Sequence, residues 1–461
     1  MKIGLLPLYI KLYDDVAPDV RPRMEAFYED VAKAVEARGT AVVRAPFCRL
    51  RAEFKNAVRR FEEEGADAVV TLHIAYSPSL ECIEALTDTI LPVVVMDTTE
   101  TFEFTNEQSE GEIMYNHGIH GVMDMCSMLT RYGKPYAIAA GFWENSDVID
   151  RVLGFVRAAK AAKALRTAKV GLIGESFAGM GDFRVPYGEM YERFGIRVDE
   201  PSAERMRAYM ASLTEEEIAE EMEINRASYD FAQTIYEDEY RETVRSCLAT
   251  RKFVRDDGLT AFTANFLKTG PSGTGITSTP FLESCKSMQN GIGYAGEGDV
   301  LTAAFTGAML QGWDETTFVE IFCPDWKNDM VLLSHMGEVN YRIAATKPCI
   351  TRAGRKYGAD DVNPYAGYVR MKGGKGVYLN VSRAENDFRL TAASCEMMDY
   401  DHDNFPGSMR GWMRPVNMGV ARFLETLSTY GATHHSVFVY GASVEEIAYF
   451  GRLLRLETVT L

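Results

Sequence analysis

The first hundred residues contain IGLLPLYI (3–10), MEAFYEDVAKAVEARG (24–39), AVVRAP (41–46), FKNAVRRFEEEGA (54–66), DAVVTLHI (67–74), PSLECIEALTDT (78–89) and PVVVMD (92–97). Short apolar runs rich in Val, Ile and Leu alternate with stretches whose apolar residues return every three or four positions. The first pattern suits a strand buried on both faces and the second an amphipathic helix. Their alternation predicts a parallel sheet covered by helices. A second cycle opens at PYAIAAGFW (135–143), continues in an Ala- and Lys-rich helix around Val152–Leu165, and restarts at KVGLIG (169–174), which sets a boundary near residue 167. The segment Ser212–Tyr240 is predicted helical, because Thr214 and Glu217 form an S/T-x-x-E capping box ahead of a Glu-rich amphipathic run. After Trp313 the texture changes to short apolar runs broken by Gly, Pro and Asn: MVLLSHMGEV (330–339), GYVRMKG (367–373), GVYLNVSR (376–383) and FRLTAASCEMM (388–398). These predict a largely antiparallel β domain.

A chain of 461 residues exceeds the length at which one hydrophobic core stops growing, so several domains are expected. The division is an N-terminal α/β domain over 1–167, a central α/β domain over 168–312, both with Rossmann-like parallel sheets, and a C-terminal β-rich domain over 313–461. The formal charge of −17 argues against a nucleic-acid partner, whose phosphate backbone needs clustered Lys and Arg. Eight cysteines stand singly with no C-x-x-C pair, which suggests reduced thiols in a cytoplasmic protein rather than a zinc ribbon or a redox dithiol. The opening MKIGLLPLYIK reads as a first strand with no cleavage site behind it, and no later run approaches a membrane-spanning length.

Seven histidines narrow the search for chemistry. His434 and His435 adjoin in GATHHSVFVYG, near the start of an alternating apolar run. On a strand they would face opposite ways, so one at most would ligate a given ion; a polar pair at a strand edge is the competing reading. Glu297 lies in GIGYAGEGDV, where a Gly-framed turn would let its carboxylate approach a ligand closely, although loop acids on such turns are common. Asp299 reads as the N-cap of the helix that follows. Glu320 and His335 are each embedded among apolar residues in TTFVEIFCPDWKNDMVLLSHMGEV. Burying either without a partner costs several kcal/mol, so a metal site or a structural ion pair must satisfy them.

Two carboxylates with two imidazoles suit Mn²⁺, or another divalent ion such as Co²⁺ or Mg²⁺, better than Ca²⁺. Such an ion keeps positions open for two neighbouring substrate oxygens, polarises a carbonyl and stabilises an enediolate. Two stretches imitate other chemistry. GESFAGMG after KVGLIG resembles a G-x-S-x-G nucleophile elbow, but its fifth position is Ala178 and no histidine is ordered after it with an acid partner. KTGPSGTG and MKGGKG lack the spacing of a phosphate-binding loop and read as turns.

In order, GYAGEGDVLTAA, TTFVEIF, NDMVLLSHMGEV and GATHHSVF resemble the four metal-site motifs of the L-arabinose isomerase and L-fucose isomerase family. Weaker similarity runs upstream through DAVVTLHIAYSPS, Asn116–Gly121, AAGFWENSDV, KVGLIGES and LTAFTANF, so the resemblance spans most of the chain. It implies a metal bound by Glu297, Glu320, His335 and His435, with the two glutamates moving protons between C1 and C2 of a free aldose through an enediol. It implies His434 beside the substrate, contacts from Phe266 and Phe177, and His117 and His120 reaching in from a neighbouring subunit of a hexameric or trimer-based homo-oligomer. The implied fold is two α/β domains followed by a β-barrel-like domain.

The chain departs from arabinose isomerases in three respects. It is shorter, its opening LLPLYIKLYD lacks their Gly-Ser-Gln signature, and His117 stands where Gln is usual. Glu at position 320, where fucose isomerases carry Asp, leans toward the arabinose side. The expected substrate is thus L-arabinose, L-fucose or D-arabinose, D-galactose, or a modified hexose. The alternatives are a sugar-binding or regulatory protein without catalysis, and a metal-dependent epimerase on the same scaffold.

Overall fold

The computed structural model describes residues 1–353 and 362–461. It divides into two compact units, Met1–Lys160 and Ala161–Leu461.

In the first unit, strands β1 (Lys2–Leu8), β2 (Ala41–Arg44), β3 (Ala68–His73), β4 (Val93–Asp97) and β5 (Tyr136–Ala140) form a parallel sheet in the order β2-β1-β3-β4-β5. The central strands carry Val, Ile and Leu on both faces because helices cover both sides of such a sheet. The helix Arg51–Glu63 shows how: it buries Phe54, Ala57, Val58 and Phe61, spaced to share one face. Its charged residues stay outside.

The second unit opens with another parallel sheet, β10-β9-β6-β7, made of β6 (Lys169–Ile173), β7 (Arg197–Asp199), β9 (Ala261–Ala264) and β10 (Gly293–Gly296). The two-residue strand β8 (Asp230–Phe231) belongs elsewhere: it joins a small sheet in the order β14-β13-β8 with β13 (Cys349–Arg352) and β14 (Tyr365–Tyr368). This strand interrupts the helix expected over Ser212–Tyr240. The chain instead forms the helix Glu215–Ser228, leaves it at Tyr229, pairs Phe231 with Ile350, and resumes in the helix Glu237–Asp256. Burial of Tyr229 against Tyr341 and of Phe231 against Tyr240 outweighs helix continuity there. The expected capping box is present, with Thr214 accepting from Glu217 N–H and Glu217 from Thr214 N–H.

The remaining strands are β11 (Thr316–Asp325), β12 (Met330–His335), β15 (Gly374–Arg383), β16 (Phe388–Met397), β17 (Met409–Pro415), β18 (His435–Tyr440) and β19 (Glu457–Thr460). They make a mostly antiparallel sheet in the order β15-β18-β11-β12-β17-β16-β19, in which β15 also pairs with β16 and only β16–β19 is parallel. Two helices that the β texture concealed, Val420–Thr429 and Val444–Leu453, accompany it. The first inserts Val420, Phe423 and Leu427 into a core shared with Val319, Val331, Leu333, Met409 and Phe438. Between the parallel sheet β10-β9-β6-β7 and the mostly antiparallel sheet runs the helix Val300–Gly312, buried on every side and packed against β9, β10, β11 and β18. Its N-terminus, the middle of β11, the end of β12 and the start of β18 converge on one place. All eight cysteines are free thiols. Among the described residues no helix is long and apolar enough to cross a membrane.

Candidate metal centre

Glu297 lies immediately beyond β10, on the tight turn that enters the helix Val300–Gly312. Its φ of 66° is in the left-handed region, a conformation that costs a non-glycine residue on the order of 1 kcal/mol or more and persists where the surroundings enforce it. Both neighbours must be glycine. A Cβ on Gly296 would stand 2.7 Å from His335 Cε1, and one on Gly298, whose φ is 89°, would overlap Ser176 Cα. The loop after β6 grips the turn from outside, with Phe177 N–H donating to the Glu297 carbonyl at 2.9 Å and Ser176 Oγ to that of Gly298 at 2.8 Å. The GESFAGMG segment therefore serves as a clamp on Glu297.

The other three proposed ligands come from adjacent strands. Glu320 on β11 stands opposite His435, the first residue of β18, and opposite Ser334, whose neighbour His335 ends β12. Glu320, His335 and His435 offer ligand atoms within 4.8 Å of one another, and so do Glu297, His434 and His435. The two groups share His435. Glu297 Oε2 to His435 Nε2 is 3.7 Å, as is Glu320 Oε2 to His335 Nε2. Those gaps are too long for hydrogen bonds. They are shorter than the roughly 4 Å that can separate two atoms bound about 2.1 Å from one ion. Glu297 Oε2 and His435 Nε2 are moreover buried with no hydrogen-bond partner among the described residues, an arrangement that costs free energy unless a cation joins them. The donor set fits a divalent ion.

Each imidazole in the cluster has its Nδ1 on a carboxylate: His335 on Glu338 at 2.7 Å, His435 on Asp299 at 3.0 Å and His434 on Asp182 at 2.6 Å. For His335 and His435 this directs the Nε2 lone pair into the site, which is how outer carboxylates orient metal-binding histidines. Asp299 is the N-cap expected from the sequence, since its Oδ1 accepts from Thr302 N–H at 2.9 Å, and its second oxygen holds His435. Glu338 is pinned in turn by Tyr294 O–H at 3.1 Å and Gly337 N–H at 2.9 Å. Phe183 stacks on His435 with ring centroids 4.9 Å apart and planes 9° from parallel, while Phe318 sets its edge against both His335 and His435. Asp182, Phe183, Phe318 and Glu338 were not singled out in the sequence. Glu338 alone left a signal, as a carboxylate three residues after His335 in an apolar run.

The carboxylates diverge electrostatically. Burial pushes the Glu297 carboxyl up, but His434, then His335 and His435, outweigh it, and the group lies below the usual range. Glu320 lies above it, because burial exceeds the pull of the three histidines and Glu297 adds repulsion. Burial also works against charge on His335, yet Glu338 reverses this and raises the imidazole above 6.5. Asp182, followed by Glu297, lifts His434 to about 10. Carboxyls displaced in opposite directions are the pattern expected of a proton donor and acceptor sharing one site.

His434 does not obey the alternation expected of a strand pair. It precedes β18, so both rings turn inward with centroids 4.3 Å apart, His435 fully buried and His434 about one-third exposed. Phe177 and Phe266 meet at 5.9 Å. His117 and His120 belong to the first unit, between and on the helices Ile113–Asn116 and Ile119–Arg131, where His117 Nε2 lies 2.8 Å from Tyr13 Oη.

Comparison with known proteins bears on this cluster. Residues 188–311 match the L-arabinose isomerase central domain, and residues 315–457 match the L-arabinose isomerase C-terminal domain. The chain belongs to the L-arabinose isomerase family. Across 98% of its length it is 25% identical to an L-arabinose isomerase of Shewanella sp. (strain MR-7), covering 91% of that protein. It is 26% identical to those of Tolumonas auensis, over 86% of this chain and 80% of that one, and Bacillus licheniformis, over 87% and 81%. The central-domain match of this family member contains Phe266, Glu297 and Asp299. The C-terminal match contains Glu320, His335, Glu338, His434 and His435, so the site draws on both.

Proposed function

We propose that this chain is an aldose–ketose isomerase acting on a free sugar, with Glu297, Glu320, His335 and His435 holding one divalent ion, Mn²⁺ before Co²⁺ or Mg²⁺. Family membership supports the reaction class. The observation that carries the metal site is the pair of buried atoms Glu297 Oε2 and His435 Nε2, 3.7 Å apart and without a hydrogen-bond partner among the described residues. When bound, such an ion acts as a Lewis acid toward the sugar's carbonyl and adjacent hydroxyl.

The protein groups divide the remaining work. Glu297 and Glu320 are the proton carriers: one removes the C2 proton, the enediol forms, and a proton returns at C1. The depressed Glu297 is the better resident carboxylate and the raised Glu320 the better acid. His434, fixed by Asp182, faces the substrate and donates to a sugar oxygen, and Phe177 and Phe266 exclude water from the reacting carbons. His117 and His120 are proposed to contact the sugar of a neighbouring subunit in a homo-oligomer, hexameric or trimer-based. The ring of pairings through β15 and β16 supports a barrel-like C-terminal domain, and a cytoplasmic location accords with eight free thiols.

The test is a panel of aldoses, L-arabinose, L-fucose, D-arabinose and D-galactose among them, incubated in D₂O with EDTA-treated protein with and without Mn²⁺. NMR would follow ketose formation and deuterium at C2. Mn²⁺-dependent ketose that disappears in Glu297→Gln is the expected result. Metal binding without turnover of any sugar would refute the isomerase reading, and inversion at C2 with the carbonyl still at C1 would replace it by an epimerase.

A further inference from the structure

Across β11, β12 and β17, Glu320 stands opposite Ser334 and Ser334 opposite Arg410. Directly opposed residues of antiparallel strands project from the same face. Arg410 therefore shares a sheet face with Glu320, two strand spacings or about 10 Å along it. There it meets Arg370 and Asp403, and the three side chains are close to nine-tenths buried or more, with exposures of 11%, 10% and 6%.

The charges in this group do not balance. Asp403 receives Arg410 Nε at 2.6 Å, and Arg410 Nη1 donates to the Ser408 carbonyl at 3.0 Å. Among the described residues Arg370 has only the far oxygen of the same carboxylate, at 3.8 Å, and its buried Nε has no hydrogen-bond partner there. One carboxylate thus faces two guanidiniums, and a buried cation without a counter-charge is costly unless an anion joins it. This occurs in a chain whose formal charge is −17, where spare cations are scarce. An arginine fork with free N–H groups matches the paired oxygens of a carboxylate or phosphate. Beside it, Trp412, two residues along β17 from Arg410, packs against Tyr400 and Phe405 and offers an apolar flank for a carbon skeleton.

We propose that Arg370 and Arg410 form an anion subsite for a carboxylate or phosphate at the end of the sugar remote from its carbonyl, so that the substrate is an anionic aldose. This rests on the isomerase reading of the adjoining site. With C1 and C2 at Glu320, a hexose chain and the reach of an arginine together span the separation.

The test uses the full chain loaded with Mn²⁺. Calorimetric titrations with inorganic phosphate and acetate probe the subsite independently of sugar configuration. Titrations with D-galactose, D-galacturonate and D-galactose 6-phosphate ask which anion it prefers. Saturable binding of one anion is expected, with the sugar bearing it held at least about ten-fold tighter than D-galactose. The preference should fall toward one in Arg370→Met, return in part in Arg370→Lys, and weaken with salt. Absence of saturable anion binding, or a preference that survives Arg370→Met, overturns the proposal and leaves the arginines to structure or to an acidic side chain of another protein chain. NMR on the same samples separates the two readings. Ketose from neutral sugars without anion preference refutes the subsite alone, and anion preference without ketose refutes the isomerase alone.

Discussion

Asp299→Asn isolates the histidine orientation argument. Asp299 does two things with two oxygens, capping the helix Val300–Gly312 through Thr302 N–H and receiving His435 Nδ1. Asparagine caps helices as well as aspartate. Its oxygen must stay on Thr302 N–H, which places the amide NH₂ against His435 Nδ1 and forces the imidazole proton onto Nε2. Nε2 is then unable to ligate. Losing an outer carboxylate of this kind costs about 10- to 100-fold in metal affinity, or about 1.4 to 2.8 kcal/mol. Stability without metal should fall by less than about 1 kcal/mol, from the lost charge at the helix N-terminus. Asp299→Ala should lose the cap as well, by about 1 kcal/mol. Mn²⁺ affinity by chelator competition, urea unfolding without metal, and ¹⁵N NMR of the seven histidines together read all three effects. Wild-type Mn²⁺ affinity in Asp299→Asn, or an unprotonated His435 Nε2, would refute the reasoning.

Three further outcomes follow from the same geometry. In Gly296→Ala the new methyl stands 2.7 Å from His335 Cε1 and 3.1 Å from Nε2, so the ring must shift; at least about ten-fold weaker Mn²⁺ binding and about 1–3 kcal/mol of destabilisation are expected, and unchanged affinity would contradict the packing. Because His335 is raised above 6.5 by Glu338 against burial, the metal must displace a proton, and Mn²⁺ affinity should climb with pH until that raised value is passed. In the metal-free protein the sign is the reverse: His335 contributes stability fully below about 6.5, lost as pH rises through its folded value. A pH-independent Mn²⁺ titration would count against both. Finally, burial opposes ionisation of Glu221, but Arg251 and Lys286 hold its carboxyl at about 2. Its stabilisation is present above about 4.5 and lost as pH falls toward 2. Glu221→Gln should cost about 2–3 kcal/mol at pH 7, reduced by solvent at Arg251, with Mn²⁺ affinity unchanged; urea unfolding at pH 7 and 3 reads this, and equal losses at both would disprove it.

What the sequence showed and what it hid follow from the range of each interaction. The strands of the first unit announced themselves because a parallel strand buried on both faces is apolar at every position. Capping by Thr214 and Asp299 was visible because it acts over three residues. The helix break at Tyr229 was invisible, since its cause is a pairing with Cys349 and Ile350 more than a hundred residues away. Glu320 and His335 were found because an ionisable group in an apolar run must have a partner. The carboxylates that orient the other two histidines escaped because they are distant: His435 and Asp299 are 136 positions apart, and His434 and Asp182 are 252.

The histidine pair shows how a local rule fails at an element's edge. Alternation assigns adjacent strand residues to opposite faces, and it applies from His435 onward. His434 lies one residue before β18, where its N–H goes to Asp182 at 2.9 Å instead of to a neighbouring strand. Freed from the ladder, it turns to the same side as His435. The strand end thus supplies two imidazoles of different character, one sealed under Phe183 with an Nε2 that has no hydrogen-bond partner among the described residues, the other partly open and held charged by its own carboxylate. A buried imidazole beside an accessible cationic one is an arrangement able to fix an ion and contact a sugar oxygen from one short segment. That division of labour depends on where the strand begins.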